Sequence, residues 1–153
     1  MRLLSLVTAT LLTACAPAPR PVEQPKPAVT KDATKADWYQ PLVEQLASMN
    51  RDAESLLHRG KPDGAAAIIQ SSQPVLNRLL SVPRPTLEAM EAASDSDQLY
   101  GRMLLANRHY GWARLAFQKN VTRWKAWKPQ TPETARRLKL AKEAIAECDR
   151  QLK

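Results

Sequence analysis

A chain of 153 residues has room for one domain, which excludes a multidomain architecture. Glycine is scarce at 4 and proline plentiful at 12, while Ala, Leu, Lys, Arg, Glu and Gln abound, a balance that favours helix because these side chains lose little freedom on a helical backbone. The net charge of +8 is unevenly placed: residues 36–100 hold nine acids and five bases, a net −4, whereas residues 101–153 hold thirteen bases and four acids, a net +9. Either the two halves face each other or the basic half meets an anionic partner.

In chain order, residues 1–14 (MRLLSLVTATLLTA) carry one Arg, an apolar stretch from Leu3 to Leu12 and then small residues, the anatomy of a secretory signal. The stretch is too short to span a bilayer, which takes about 20 apolar residues. Leu12-Thr13-Ala14-Cys15 sets an aliphatic residue and two small ones before a cysteine. This tetrapeptide resembles the lipobox of bacterial lipoproteins. The resemblance implies diacylglyceryl transfer to the Cys15 thiol, cleavage between Ala14 and Cys15, and acylation of the new amine, with palmitate among the chains. It also implies a cell-envelope location. Ala16 is not the aspartate associated with inner-membrane retention, so the outer membrane facing the periplasm is the expected destination. One fourteen-carbon chain holds a protein marginally, at about 0.8 kcal/mol per buried CH₂, so the two or three chains expected on Cys15 suffice as an anchor.

Residues 15–36 follow as a linker with prolines at 17, 19, 21, 25 and 27. It has too little apolar surface to fold, and its prolines remove donors and favour extended backbone. Read as polyproline II, twenty residues reach roughly 60 Å at about 3.1 Å each.

Residues 37–153 read as an all-helical domain, a small bundle of four to five helices at approximately 38–59, 62–80, 86–93, 97–127 and 132–152. Asp37 with Gln40 three residues on suggests the first cap, and Gly60 the first stop. Pro62 opens the second helix, in which Pro74 predicts a kink or break near Gln73. Pro83 and Pro85 bracket a connector, and Ser94 or Ser96 is read as the cap of the next long helix. From Leu99 through Met103, Ala106, Tyr110, Ala113, Phe117 and Val121 to Trp124 the apolar steps are three and four throughout, which predicts one uninterrupted helix. Thr131-Pro132-Glu133 restarts the chain.

Ala53, Leu56, Gly60, Ala65 and Ile69 fall at offsets similar to a tetratricopeptide repeat, as do Gly101, Leu104, Tyr110, Ala113 and Phe117. The two sets stand 48 residues apart, longer than that repeat's usual period of about 34. Arg108 occupies the position where the family often has a small residue. What this resemblance implies is a helical hairpin, broken near His109, in place of the single third helix.

Two histidines, no paired cysteines and no carboxylate cluster at ligand spacing mean that no metal is expected. No Gly-rich phosphate loop or nucleophile elbow is present, so neither a cofactor nor enzymatic activity is expected. With Cys15 lipidated, Cys148 is the one remaining thiol, and its place on the last apolar stripe reads as a small buried hydrophobe. The most informative stretch is Lys119 to Lys128, in which Lys119, Arg123, Lys125 and Lys128 interleave with Trp124 and Trp127. Trp124 belongs to the core stripe. Trp112, Arg123, Trp127, Lys128, Arg136 and Arg137 are the candidate surface for an anionic ligand, through charge and stacking.

The expectation is therefore a non-enzymatic interaction or scaffolding domain on a lipid anchor. Its partners would be the membrane, through acyl chains on Cys15, and an envelope protein. The alternative is a binding module for anionic envelope polymers or lipid headgroups on the third and fourth helices; nucleic acid is not expected. Cys15→Ser should move the protein from the membrane to the soluble fraction and abolish any acyl mass on the mature chain. An unsubstituted protein that is already soluble and unacylated would overturn the anchor.

Overall fold

The computed structural model describes residues 32–153; the expected signal, Cys15 and the proline-rich stretch through residue 31 lie outside the described residues. Five helices follow a 3-10 turn at Ala33–Lys35: α1 Tyr39–His58, α2 Pro62–Leu80, α3 Leu87–Ala106, α4 Tyr110–Ala126 and α5 Pro132–Gln151. No strand occurs among the described residues. The expected helical bundle is what forms. Residues 33–35, expected as linker, instead make the 3-10 turn, closed by Asp32, whose carboxylate accepts from the Thr34 N–H at 3.1 Å.

The cap expected from Asp37 is not made, since α1 is entered through Trp38 without a side-chain cap. Its start is held instead by Tyr39, fully buried, whose hydroxyl accepts from the Thr86 N–H at 2.9 Å. Thr86 in turn caps α3, accepting from the Ala89 N–H at 3.3 Å. Thr131 and Thr134 cap α5 reciprocally, at 3.2 and 2.8 Å, and Pro132 fills the first turn, where a missing N–H costs nothing.

Three further expectations are corrected. The helices expected at 86–93 and 97–127 are instead α3 and α4, 20 and 17 residues long, with a turn between them at 107–109. Arg108 takes a left-handed φ of 60°, and its N–H donates to the Leu105 carbonyl at 3.0 Å while the His109 N–H donates to Leu104 at 2.8 Å. That pair of bonds satisfies the last carbonyls of α3 and stops it. Gly60 closes α1 in the same way, at φ 68°, with Gly60 donating to Leu57 at 3.0 Å and Lys61 to Leu56 at 2.9 Å. Ser94 and Ser96 are not caps; they lie buried in the middle of α3. Nor does Pro74 break α2, which runs on to Leu80. Pro74 is exposed, so the carbonyl of Gln70 that loses its donor can meet water.

The result is two helical hairpins in the same register. Tyr39, His58 and Pro62 bound the first, and Leu87, Ala106 and Tyr110 bound the second, each 48 residues later. Tyr39, Leu46, Leu76, Leu79 and Ala92 form one part of the core, Ala53, Ala65, Ile69 and Leu99 the next, and Ala113, Phe117 and Cys148 the last, against α5. At matched positions the hairpins exchange volume. The first sets Ala53 with Ile69; the second sets Gly101 with Phe117, and a Cβ on Gly101 would lie 2.5 Å from the Phe117 ring. Gly101→Ala should therefore lower stability by about 1–3 kcal/mol through overpacking. Adding Phe117→Leu should recover part of that loss. Denaturant unfolding of the single and double variants measures the coupling, and additive losses would show that ring and glycine are not in contact.

Candidate docking groove

Helix α3 carries an unusual load of small and polar buried side chains, and its neighbours are tied to them. Asn50 of α1 donates to the Ala92 carbonyl at 2.8 Å and accepts from the Ser96 hydroxyl at 2.9 Å. On the other flank, Asn120 of α4 donates to the Ser94 carbonyl at 2.9 Å, and the Trp124 indole N–H donates to the Ser94 hydroxyl at 2.9 Å. Arg123 donates to Asp97 at 2.8 Å and also to Asn120; both ion-pair side chains are nearly enclosed, at 8% and 7% exposure. Among the described residues no buried side-chain polar atom is left without a partner.

Helices α2 and α4 each pack along α3 but share no extensive contact, so a groove opens between them with α3 as its floor. At one end lies a cavity of about 440 Å³, walled by Ile69, Gln70 and Gln73 of α2 and Lys119 of α4, over Tyr100 and Met103. A second, of about 460 Å³, is lined by Leu80, Met90, Leu115, Gln118, Thr122 and Arg123, and again by Lys119. Leu80, Tyr100 and Leu115 are exposed in these walls. Trp112, 67% exposed, precedes Leu115 by three residues and Lys119 by seven, so all three share one face of α4. Lys119 reaches Asp97 only at 3.5 Å and its side chain is 63% exposed.

The six residues expected to form an anionic-ligand surface are not brought together as one. Trp112 is exposed on α4, whereas Trp127 is half-buried beyond the end of that helix, fifteen residues and so about 22 Å along the chain's rise. Lys128 is exposed. Arg123 is turned inward onto Asp97. Arg136 grips Glu133 with two bonds of 2.7 Å. Arg137 is largely enclosed, bonds Glu133 at 2.8 Å and Asp95 at 2.6 Å, and sets its guanidinium 5.7 Å from the Trp124 ring centroid. Hydrogen bonds from Arg136, joined by its charge and that of Arg137, hold the Glu133 carboxyl down at about 2. The two halves of the chain face each other: Arg102 pairs with Glu54 at 2.7 Å, Arg123 with Asp97 and Arg137 with Asp95, each a base of the later half on an acid of the earlier.

Among the described residues no three His, Cys, Asp or Glu side chains are grouped to hold a metal ion. Cys148 is fully buried beside Ala113 and Phe117, and burial pushes its thiol pKa up, away from the reactive thiolate. Leu80 falls at helical spacing with Ala65, Ile69, Ser72 and Leu76 and so reads from sequence as the end of their buried stripe, but Leu79 takes that place and Leu80 is exposed. Tyr100 and Leu115 were not singled out from sequence; their one signal is the same that marks Trp112, a large apolar residue off the helix's core stripe.

No family model matches the chain, and none of the curated proteins or solved structures compared with it does so either.

The two cations of the groove should answer differently to substitution. Asp97→Asn leaves Arg123 buried without a countercharge and should cost about 3 kcal/mol in urea unfolding. Lys119→Gln removes only a long, exposed pair and should cost less than about 0.5 kcal/mol. Equal losses would mean that Lys119 is structural.

Proposed function

We propose that this chain is a lipid-anchored envelope protein whose helical domain is a non-enzymatic docking platform, holding a partner protein in the groove between α2 and α4. The observation that carries this reading is the groove itself: Leu80, Tyr100 and Leu115 stand exposed in the walls of two adjoining cavities, with Trp112 exposed one turn before Leu115 on α4, while most other large apolar side chains among the described residues are covered. Contiguous exposed apolar surface of this kind, rimmed by polar groups, marks a site of interaction. The tetratricopeptide-like reading is supported by the hairpin register, since each hairpin of the pair closes with the same left-handed stop.

Attachment rests on the lipobox resemblance. No helix among the described residues is long and apolar enough to cross a membrane, and acyl chains on Cys15 supply the anchor in this reading, on the outer membrane facing the periplasm. The anionic-polymer alternative gains no support from the arginines, because Arg123, Arg136 and Arg137 are each committed to carboxylates of the same chain.

A pair of variants tests docking. Leu80→Glu and Leu115→Glu, both at exposed positions, should leave the unfolding free energy within about 0.5 kcal/mol of the native value. The native chain should form cross-linked protein adducts in intact cells, and both variants should abolish them. Adducts retained by both folded variants would overturn the groove as the docking surface.

A further inference from the structure

The groove consists of two cavities that meet at one cation. Asp97 gives Oδ2 to Arg123 at 2.8 Å, and Lys119 reaches the other oxygen only at 3.5 Å. The three groups sum to one positive charge, and the part of it that faces the groove is Lys119. Among the described residues no other acid lines either cavity. On one side of Lys119 lie Ile69 and Met103, and on the other Leu80, Met90 and Leu115. Side-chain amides stand along the walls at Gln70, Gln73 and Gln118. Pro74, next to Gln73, has no N–H for the Gln70 carbonyl, which leaves a backbone acceptor beside the first cavity.

Resting on the docking reading above, we propose that the groove binds an extended peptide segment of the partner, with one acidic side chain flanked on both sides by apolar residues. The carboxylate pairs with Lys119 and the apolar side chains enter the two cavities. Each cavity falls in the size range of ligand pockets, about 300–1,000 Å³, and combines apolar walls with a few polar groups. An extended backbone places residues i and i+2 on one face about 7 Å apart and offers an N–H and a C=O at every residue. The wall amides and the Gln70 carbonyl are donors and acceptors suited to that backbone. A polyanion, by contrast, needs a row of exposed cations, whereas of the two lining the groove Arg123 is enclosed against Asp97 and Lys119 alone is exposed.

The test is selection of a randomised heptapeptide display library on the full mature chain in detergent micelles, after subtraction of peptides that bind empty micelles. The native protein should enrich sequences with Asp or Glu between aliphatic or aromatic residues. Lys119→Gln should weaken the best of these about tenfold in Kd, the worth of one charge-assisted hydrogen bond. Lys119→Glu should shift the enriched residue to Lys or Arg; Lys119→Gln keeps the proposal testable if that reversal unfolds the domain, as circular dichroism would show. No enrichment, enrichment of runs of acids, or the same sequences on native and Lys119→Gln protein with equal affinity would overturn it. If those results came while Leu80→Glu and Leu115→Glu still abolished the cellular adducts, the acidic-peptide inference would fall and the docking reading would stand. Adducts indifferent to the groove variants would remove both.

Discussion

The ion pair of Asp97 with Arg123, and the amide and indole hydrogen bonds beside it on α3, set how the helices are arranged. Burying a charge or an amide is unfavourable unless its partner is met, so each of these groups stabilises only one placement of its neighbour. An apolar stripe alone tolerates rotation and sliding of a helix by a fraction of a turn; a bond from Asn120 to the Ser94 carbonyl and from Trp124 to the Ser94 hydroxyl does not. Ala89, Ala92, Ala93 and Gly101 make α3 thin where the others approach, which brings side chains such as Asn50 within reach of its backbone. Once α4 is held in this way, the angle at which it presents Trp112, Leu115 and Lys119 outward is decided as well.

The same contacts explain why the arginines of the basic half do not form a free cationic surface. Arginine's planar fork suits carboxylates, and Arg102, Arg123 and Arg137 are each committed to an acid of the earlier half, of which Asp97 is enclosed, Glu54 half-buried and Asp95 exposed. Arg114 pairs with Asp149 at 2.7 Å between α4 and α5. Several of the lysines are left to solvent. Net charge read along a chain counts residues, whereas a partner meets only those whose charge is not already answered.

Much of the fold was legible because helical periodicity reports burial directly. The bounds of α1, α2 and α5 were readable to within a residue or so from Gly60, Pro62, Thr131 and Pro132, each with a mechanism attached. The boundary between α3 and α4 was not. Ala106 is exposed and Tyr110 half-buried, so the step of four between them continues the apolar rhythm across the turn without reporting burial, and a left-handed arginine carries no mark in sequence as Gly60 does. Ser94 and Ser96 misled for a related reason. A serine at a helix start and a serine meeting a distant asparagine look alike until the fold brings position 50 to position 96. Of the candidate surface, Trp112 was found by its place off the stripe, and Leu115 and Tyr100 share that property. The inward turn of Arg123 was not readable because its partner lies 26 residues away on another helix.

Whether the groove is a standing feature or a gap that α4 could close depends on what closure would break. Moving α4 toward α2 would cover Leu80, Tyr100 and Leu115, at about 25 cal/mol for each Å² of apolar surface removed from water. The same movement would draw Arg123 from Asp97 and Asn120 and Trp124 from Ser94, leaving an enclosed charge unpaired at about 3–5 kcal/mol and further polar groups at about 1–3 kcal/mol each. It would also strain the far side of α4, where Phe117 packs on Cys148 and Arg114 bonds Asp149. Several hundred Å² of burial would be needed to offset these losses, more than a few half-exposed side chains offer. The groove is therefore held open by the polar contacts behind it. A ligand entering it needs no rearrangement of the helices, which is the condition under which a short segment with few contacts can bind.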